Sequence, residues 1–256
     1  MKVISVTNRK GGVGKTTTAI NIATAMAAIG KKVLVFDLDP QGNATTSLGL
    51  DKKQIECSSY DILTRGLPLL SVIQKTFVPA FYIVPAKPDL AAAEIELINI
   101  SQREQILKNA LHAAEEHFDY VLIDCPPSLN LLTINALVAS DSVIVPLQCE
   151  FLAMEGLTDL IKNIRRINKN FNPKLKIQGI VLTMFDKRNN LSFMVEKDVR
   201  AYFGDLVYQT VIPRNVRISE APSHGKPIMI YDFKSAGAQS YISLAKEVLT
   251  REGEIK

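Results

Sequence analysis

A glycine-rich segment near the N-terminus constrains this chain more than any other feature. Residues 10–17 read Lys-Gly-Gly-Val-Gly-Lys-Thr-Thr, and they lie between an apolar run over 3–6 and a helical pattern over 16–29. Glycines let backbone N–H groups turn inward around anionic oxygens without a Cβ clash, and the start of a helix adds the positive end of its dipole. The order of strand, glycine-rich loop and helix therefore predicts a phosphate-binding loop in an α/β fold.

Individual side chains of this loop have predictable chemistry. Lys15 is expected to reach the β- and γ-phosphates of a nucleotide, and the Thr16 hydroxyl is expected to take one coordination position on Mg²⁺. The usual pattern has its first glycine at the position where this chain has Arg9, and a second lysine, Lys10, stands at the start of the loop. The spacing and the Lys-Thr pair still favour a phosphate cradle over an inert turn.

Composition excludes several classes of protein. With 256 residues, 47% hydrophobic and 22% charged, the chain is long enough for one large α/β domain with a substantial core. No apolar run approaches the roughly 18 residues that span a bilayer, and we expect no signal peptide. The three cysteines, Cys57, Cys125 and Cys149, are widely spaced and form no C-x-x-C pattern. That spacing argues against a disulfide framework or a zinc site and favours a reducing cytoplasm.

The charge is distributed unevenly along the chain. Residues 1–150 carry 13 Lys and Arg against 15 Asp and Glu, whereas residues 151–256 carry 17 against 11. A basic half is compatible with a polyanionic partner, but it is more often a solvated surface. Charge alone therefore decides little here.

Two further apolar runs deliver aspartates to the expected ligand edge of a sheet. The run over 32–37 ends at Asp37, with Asp39 two residues on, and the run over 120–124 ends at Asp124. A helix between buried strands predicts a βαβ unit, and parallel sheets bind ligands at the carboxyl ends of their strands. An aspartate there can position an attacking water or hold Mg²⁺, usually through water.

The remaining pattern alternates helices and strands without a repeat or a linker. It predicts one doubly wound α/β domain over residues 1–256, with a mainly parallel sheet flanked by helices. Helices are expected over 130–140, 152–168, 191–203 and 236–251, and strands over 81–84, 142–147, 177–183 and 207–212. Two more helices are expected over 90–100 and 101–117, the second opened by a capping box of Ser101 and Glu104.

Four motifs, taken together, resemble those of ParA/Soj-type partition ATPases, in the wider deviant Walker A group that includes MinD. They are residues 10–17, 37–45 (Asp-Leu-Asp-Pro-Gln-Gly-Asn-Ala-Thr), 123–128 (Ile-Asp-Cys-Pro-Pro-Ser) and 211–217 (Val-Ile-Pro-Arg-Asn-Val-Arg). Their order and spacing extend the resemblance over essentially the whole chain. The resemblance implies a P-loop NTPase fold with ATP and Mg²⁺ as ligands.

The resemblance also implies residue roles. Lys10 matches a lysine that contacts the nucleotide of the opposite subunit, and Asp39 matches the aspartate that aligns the attacking water. Asp124 matches the carboxylate on the Mg²⁺ side, and Pro213 and Asn215 match positions that contact adenine. The implied catalytic residues are Lys10, Lys15 and Asp39; the nucleotide-binding loop is Lys10, Gly11, Gly12, Val13, Gly14, Lys15, Thr16 and Thr17; the metal side is Thr16, Asp39 and Asp124.

The function implied by the resemblance is DNA segregation. The family forms ATP-dependent homodimers, binds DNA without sequence preference, and hydrolyses ATP slowly until a ParB-type partner stimulates it. The expected location is the cytoplasm, in association with the nucleoid. The candidate DNA contacts are Arg188, Arg214, Arg217 and Lys226. Because the loop begins at Lys10, we expect no N-terminal helix-turn-helix domain.

Three alternatives remain beside this interpretation. A MinD-like membrane-cycling ATPase needs a basic amphipathic C-terminal helix, and the mixed tail over 249–256, interrupted by Gly253, disfavours it. An iron–sulfur protein needs bridging cysteines, and Cys125 has no evident second ligand. The third alternative is a bacterial tyrosine kinase or a cell-surface-positioning relative; the Asp39-Pro-Gln-Gly-Asn run and the absence of a tyrosine cluster in the tail disfavour the kinase.

Overall fold

The computed structural model describes residues 1–255, and Lys256, the last residue of the predicted tail, lies outside the described residues. Eight strands form one sheet in the order β3-β4-β2-β5-β1-β6-β7-β8, and only the β3–β4 pair is antiparallel. The strands are β1 (Lys2–Val6), β2 (Val33–Asp37), β3 (Gln74–Lys75), β4 (Phe81–Val84), β5 (Tyr120–Asp124), β6 (Ser142–Gln148), β7 (Lys176–Phe185) and β8 (Val207–Pro213).

Helices cover both faces of this sheet. None of those within residues 1–255 is both long and apolar enough to cross a membrane. They are α1 (Lys15–Ala28), α2 (Asn43–Ser47), α3 (Ser59–Arg65), α4 (Leu69–Val72), α5 (Ala93–Glu96), α6 (Ile106–His112), α7 (Leu131–Ala139), α8 (Ala153–Asn170), α9 (Asn190–Phe203), α10 (Val216–Glu220), α11 (Ile228–Tyr231) and α12 (Ala236–Arg251). The predicted fold class, a doubly wound α/β domain with a mainly parallel sheet, is confirmed.

The central strands are buried on both faces, which explains their continuous apolar sequences. Every residue of β2 and of β5 is buried. In β2, Val33 and Val35 pack into the core that includes α1 and α12, whereas Leu34 and Phe36 pack into the core on the opposite face. This period of two is the geometry of a strand between two layers of helices.

The strand order brings separate parts of the sequence to one edge. β1 pairs in parallel with β5 on one side and with β6 on the other. β2 lies beyond β5, and Asp37 at its end is in register with Asp124 at the end of β5. The loop that follows β1 therefore opens beside both aspartates, at a point where the chain continues to opposite sides of the sheet.

The two helices predicted between residues 90 and 117 are wrong in extent. A 3₁₀ turn and the short α5 replace the first helix, and the second begins only at Ile106, with Gln102 in a left-handed conformation (φ 56°) just before it. The predicted capping box of Ser101 and Glu104 does not open α6, whose N-cap is Gln105, and Asn135 of α7 contacts this segment. Its carboxamide accepts a hydrogen bond from Leu107 N at 3.1 Å and donates one to Arg103 O at 2.9 Å.

The C-terminal helix α12 closes one end of the sheet through a tightly packed aromatic contact. Arg251 lies over the buried ring of Tyr208, 4.2 Å from its centroid, and donates a hydrogen bond to Gln178 O at 2.8 Å. Gly179, on β7, has no room for a side chain, because an added Cβ would lie 2.4 Å from the Tyr208 ring. The contact between β7, β8 and α12 therefore depends on this glycine.

We predict that Gly179→Ala lowers the free energy of unfolding by about 1–3 kcal/mol, because the new methyl group forces the Tyr208 ring to shift in a packed core. The matched control is Gly156→Ala on α8, where an added Cβ meets nothing within 4 Å. That change should be neutral or stabilise by up to about 1 kcal/mol. Urea denaturation followed by circular dichroism measures both, and equal effects of the two variants would contradict the packing argument.

Candidate nucleotide-binding site

The loop between β1 and α1 has the backbone of an anion cradle. Gly12 and Gly14 have φ angles of 75° and 90°, a left-handed conformation that other residues rarely adopt. Gly14 also forms the N-cap of α1, so the first turn of that helix points its N–H groups toward the loop. Around Gly11 and Gly12 an added Cβ would meet nothing within 4 Å, which leaves space for a bound group at this side of the loop.

Two polar side chains fix the loop to the neighbouring strands. Asn8 accepts a hydrogen bond from Lys10 N at 3.0 Å and donates one to Pro146 O on β6 at 2.7 Å. Thr183, on β7, donates a hydrogen bond to Val13 O at 2.9 Å. Both are buried, and no sequence pattern predicts these roles, because Pro146 and Val13 are more than 100 positions away from Asn8 and Thr183. These hydrogen bonds therefore fix the loop to β6 and β7.

The two lysines of the loop lie in different environments. Lys15 is only 7% exposed, and its Nζ donates a hydrogen bond to Lys10 O at 3.1 Å. Burial lowers the pKa of Lys15, while the charges of Asp124, Cys125 and Asp39 oppose the shift. The Lys10 side chain, in contrast, is 54% exposed and forms an ion pair with Glu150. Lys15 is thus directed into the cleft, and Lys10 lies at its rim.

Asp37 and Asp39, which lie two residues apart at the end of β2, have different surroundings. Asp37 is fully buried and accepts hydrogen bonds from Thr45 N at 2.8 Å and Thr45 Oγ1 at 2.7 Å. These bonds hold the start of α2, so Asp37 supports the fold of the segment after β2. Asp39 accepts a bond from Gln41 N at 2.9 Å and lines the cleft beside the loop. Asp39 is therefore the aspartate available to a bound ligand.

Asp124 is a buried carboxylate whose charge is not compensated by hydrogen bonds. It is fully buried, and neither of its side-chain oxygens makes a hydrogen bond of ordinary geometry within residues 1–255. Burial raises its pKa well above the usual value, and the charge of Asp37 adds to the rise, while the Thr16 hydroxyl and Lys15 oppose it. An orphaned carboxylate beside a threonine hydroxyl fits the donor set that Mg²⁺ prefers.

Few protein ligands are available for such an ion. Among residues 1–255, no group of three His, Cys, Asp or Glu side chains is arranged to hold a metal by itself. Mg²⁺ commonly binds through one or two protein groups, with water and phosphate oxygens filling the other positions. The donors at Thr16 and Asp124 are consistent with that mode, and Asp39 lies in the same cleft.

The cleft has two connected parts. A cavity of about 410 Å³ is lined by the loop glycines, Lys15, Thr16 and Asp39. A second cavity of about 300 Å³ is lined by Pro213 and Asn215, and the two share Gly14, Thr17 and Met184. The loop after β8 thus forms a pocket next to the phosphate cradle, as an adenine site would require. Asn215 also accepts a hydrogen bond from Arg217 N at 2.9 Å and so caps α10.

The four candidate DNA contacts differ in their partners. Arg188 makes a bidentate ion pair with Asp186, at 3.1 and 3.0 Å, which holds the pKa of Asp186 at about 2. Arg217 pairs with Glu220 at 3.0 Å and with Asp232 at 3.5 Å. Arg214 and Lys226 form no ion pair within residues 1–255. Arg188 and Arg214 line one cavity of about 530 Å³ together with Lys187, which the sequence analysis did not single out.

The cysteines carry little chemistry in this fold. Cys125 follows Asp124 at the end of β5 and is buried, and burial raises its pKa to about 12. Cys149 is also buried, with its pKa raised to about 12 for the same reason. Among residues 1–255, neither cysteine belongs to a group of three side chains that could hold a metal. Nothing in their surroundings favours the iron–sulfur alternative.

Comparisons with known proteins place the chain among nucleotide-dependent partitioning proteins. Residues 1–177 match a family model described as an AAA domain. The chain is 55% identical over 254 residues to the chromosome partitioning protein ParA of Caulobacter vibrioides, covering 98% of this chain and 95% of that protein. It is 54% identical over 247 residues to the sporulation initiation inhibitor protein Soj of Bacillus subtilis, covering 96% and 98%.

A solved structure with the same fold was determined with nucleotide and metal ligands. The cobyrinic acid a,c-diamide synthase of Mycobacterium smegmatis, determined with a bound ATP analogue and magnesium, superposes with a TM-score of 0.87. The two chains are 38% identical, and the match covers 99% of this chain and 96% of that one. Identity is considerably higher to the two partitioning relatives, at similar coverage.

We predict that Asp124→Asn stabilises the ligand-free protein, and that the gain is larger at pH 8 than at pH 5. The folded protein keeps the Asp124 proton to a higher pH than the unfolded chain, so stability falls as pH rises above the usual aspartate range. The amide removes that cost and also the metal-side charge, so Mg²⁺ should no longer strengthen nucleotide binding. Unfolding midpoints at both pH values and nucleotide titrations with and without Mg²⁺ measure these effects.

A surface variant provides the control for this test. Asp159→Asn removes an exposed carboxylate that pairs with Lys162 at 3.1 Å. It should change stability by no more than about 0.5 kcal/mol at either pH. A gain of stability for Asp124→Asn at pH 5 that disappears at pH 8 would contradict the assignment.

Proposed function

Because this chain belongs to the ParA/Soj family of chromosome-partitioning ATPases, we propose that ATP drives it into a homodimer through Lys10 of each subunit. Residues 1–256 act as one domain that hydrolyses ATP to ADP and phosphate. The dimer binds DNA without sequence preference, and hydrolysis stimulated by a ParB-type partner returns it to monomers. The protein works in the cytoplasm on the nucleoid.

The observation that supports this proposal most strongly is the different exposure of the two lysines of the loop. Lys15 is buried and donates a hydrogen bond to a backbone carbonyl of its own loop. Because its ammonium group stays within that loop, it contacts the phosphates of the nucleotide bound by its own subunit. Lys10 starts from the same loop, but its side chain is exposed at the rim. A long cationic side chain at that position can reach the phosphates of a nucleotide held by a second subunit. ATP then becomes part of the interface between subunits.

The chemistry of hydrolysis is assigned to few groups. Asp39 orients the water that attacks the γ-phosphate, while Lys15 and the N–H groups of the loop stabilise the charge on the phosphate oxygens. Thr16 and Asp124 would hold Mg²⁺, with Asp39 near the same side, and the ion supplies neutralisation of phosphate charge. No further acid or base of residues 1–255 lines the cavity of Asp39. Slow turnover without a partner follows from so small a set of groups.

DNA binding is assigned to the surface that carries Arg188, Arg214, Arg217 and Lys226. Phosphate contacts from such side chains need no base recognition and weaken with salt. Lys187 joins this candidate set because it lines the same cavity as Arg188 and Arg214. Because Arg188 and Arg217 are already paired with carboxylates, phosphates must compete with those partners. A dimer presents two such surfaces, which makes binding depend on ATP.

We predict that Lys15→Ala weakens ATP binding about a hundredfold or more, because it removes a buried charge that faces the phosphates. Lys10→Ala should bind ATP with the affinity of the parent but should remain monomeric with a non-hydrolysable ATP analogue. Fluorescent nucleotide titration measures the first effect, and sedimentation velocity measures the second. A normal nucleotide-dependent dimer of Lys10→Ala would refute the role given to Lys10.

A second prediction concerns Asp39. Asp39→Ala should retain ATP binding, lose about a hundredfold in turnover because the attacking water is no longer oriented, and accumulate as a dimer on DNA. In that background, Arg188→Gln and Arg217→Gln should each reduce the slope of log affinity against log salt by about 0.9. Phosphate-release assays and DNA retention at several salt concentrations measure these quantities. If the variant that combines Arg188→Gln and Arg217→Gln with Asp39→Ala is retained on DNA as well as Asp39→Ala alone, the DNA surface lies elsewhere.

A further inference from the structure

An ion pair outside the nucleotide cleft involves the lysine on which the proposed dimer depends. Glu150 lies two residues beyond the end of β6, the strand next to β1, and its side chain pairs with the ammonium group of Lys10. The two residues are 140 positions apart, and no local pattern around Glu150 suggests a role. The proposed mechanism does not use Glu150, although it faces the residue that the mechanism requires to move.

The backbone of Lys10 is fixed, so its side chain alone can change direction. Lys10 N donates to Asn8 Oδ1 at 3.0 Å, and Lys10 O accepts from Lys15 Nζ at 3.1 Å. Asn8 is anchored in turn to Pro146 O on β6 at 2.7 Å. Rotation about the side-chain bonds of Lys10 therefore decides between a partner within the subunit and a partner outside it.

The turn that carries Glu150 has features of a surface that another molecule covers. Phe151 and Leu152 are 78% and 61% exposed, although both are large and apolar. Leu152 has a φ of 67°, an unfavourable conformation for a branched side chain, and it begins α8 without a side-chain cap. Lys10, Glu150, Phe151 and Leu152 line one cavity of about 270 Å³. Exposed apolar side chains beside a charged pair are typical of an interaction surface.

We infer that Glu150 is a positioning residue that holds Lys10 within its own subunit and thereby sets the threshold for nucleotide-dependent dimerisation. This inference rests on the proposed function, in which Lys10 binds the nucleotide of a second copy of this chain. When the dimer closes, the Lys10 ammonium group leaves the carboxylate of Glu150 and binds the more highly charged phosphates of the nucleotide in the second subunit. Phe151 and Leu152 of the same turn are then covered by the second copy.

The strength of the pair suits a releasable contact. The side chains of Lys10 and Glu150 are 54% and 28% exposed, so solvent screens their attraction. Such a pair is weak enough to be broken by a triphosphate, yet it disfavours dimers that lack one. Each dimer requires two Lys10–Glu150 pairs to break, one in each subunit. The free energy of breaking one pair therefore enters the free energy of dimerisation twice.

The test is sedimentation of the full chain with a non-hydrolysable ATP analogue and Mg²⁺, over a range of protein concentrations. Glu150→Gln removes the carboxylate charge and should lower the dimer dissociation constant about three- to thirtyfold. Glu155→Gln is the matched control, since it removes an exposed charge in the first turn of α8 that forms no ion pair within residues 1–255. The control should leave the constant unchanged.

A double variant separates this inference from the proposed function. If Glu150 acts through Lys10, Lys10→Ala and Lys10→Ala/Glu150→Gln should be equally monomeric, and nucleotide affinity of the Glu150→Gln monomer should equal that of the parent. An unchanged or weaker dimer for Glu150→Gln, together with a monomeric Lys10→Ala, would overturn the role of Glu150 and leave the proposed function intact. A normal dimer of Lys10→Ala would overturn the proposed function and this inference with it.

Discussion

The position of β1 between two parallel strands governs which groups meet at the nucleotide cleft. Its pairing with β5 brings Asp124 beside the glycine-rich loop, and its pairing with β6 brings Glu150 beside Lys10. Hydrogen bonds from Asn8 and Thr183 anchor the loop to β6 and β7, and its glycines have left-handed conformations. Anchoring of this kind restricts the conformations of the loop and so lowers the entropic cost of binding.

The ionisable groups Lys15 and Asp124 of the cleft have pKa values that burial shifts toward their neutral forms. Lys15 is buried with a lowered pKa, and Asp124 is buried with a raised one, so each group favours its neutral form more than it would in water. Both shifts are costs to folding stability. The negative charge of a phosphate group would stabilise the ammonium form of Lys15. The positive charge of a divalent cation would stabilise the carboxylate form of Asp124. Such perturbed groups in a cleft are typical of functional sites.

The sequence predicted the parts of this arrangement that depend on local pattern. The glycine loop, the alternation of buried strands and helices, and the aspartates at strand ends follow from spacing and from the two-fold period of a strand. The bounds of α12 were predicted to the residue, because an exposed polar loop precedes an amphipathic stretch. The helices predicted over 90–100 and 101–117 were wrong in extent, and Asn135, a residue of another helix, makes long-range contacts to Arg103 and Leu107 that no local pattern indicates.

Contacts that leave no pattern in the sequence account for the other omissions. The family resemblance selects Asp39, but the hydrogen bonds of Thr45 to Asp37, which make Asp37 a structural residue, follow from no motif. Similarly, the ion pairs of Arg188 and Arg217 involve acids that lie nearby in sequence without any distinctive pattern. The pair of Lys10 with Glu150 depends on strand order, which sequence spacing alone does not specify.

The central claim is that Lys10 binds the nucleotide of the other subunit, and a mixing experiment tests it most directly. Lys10→Ala retains a nucleotide pocket but cannot reach across, whereas Lys15→Ala cannot hold nucleotide but still offers Lys10. With a non-hydrolysable ATP analogue, each variant alone should sediment as a monomer, and an equimolar mixture should form dimers with one nucleotide per two chains. A mixture that stays monomeric, while the parent chain dimerises, would contradict the account.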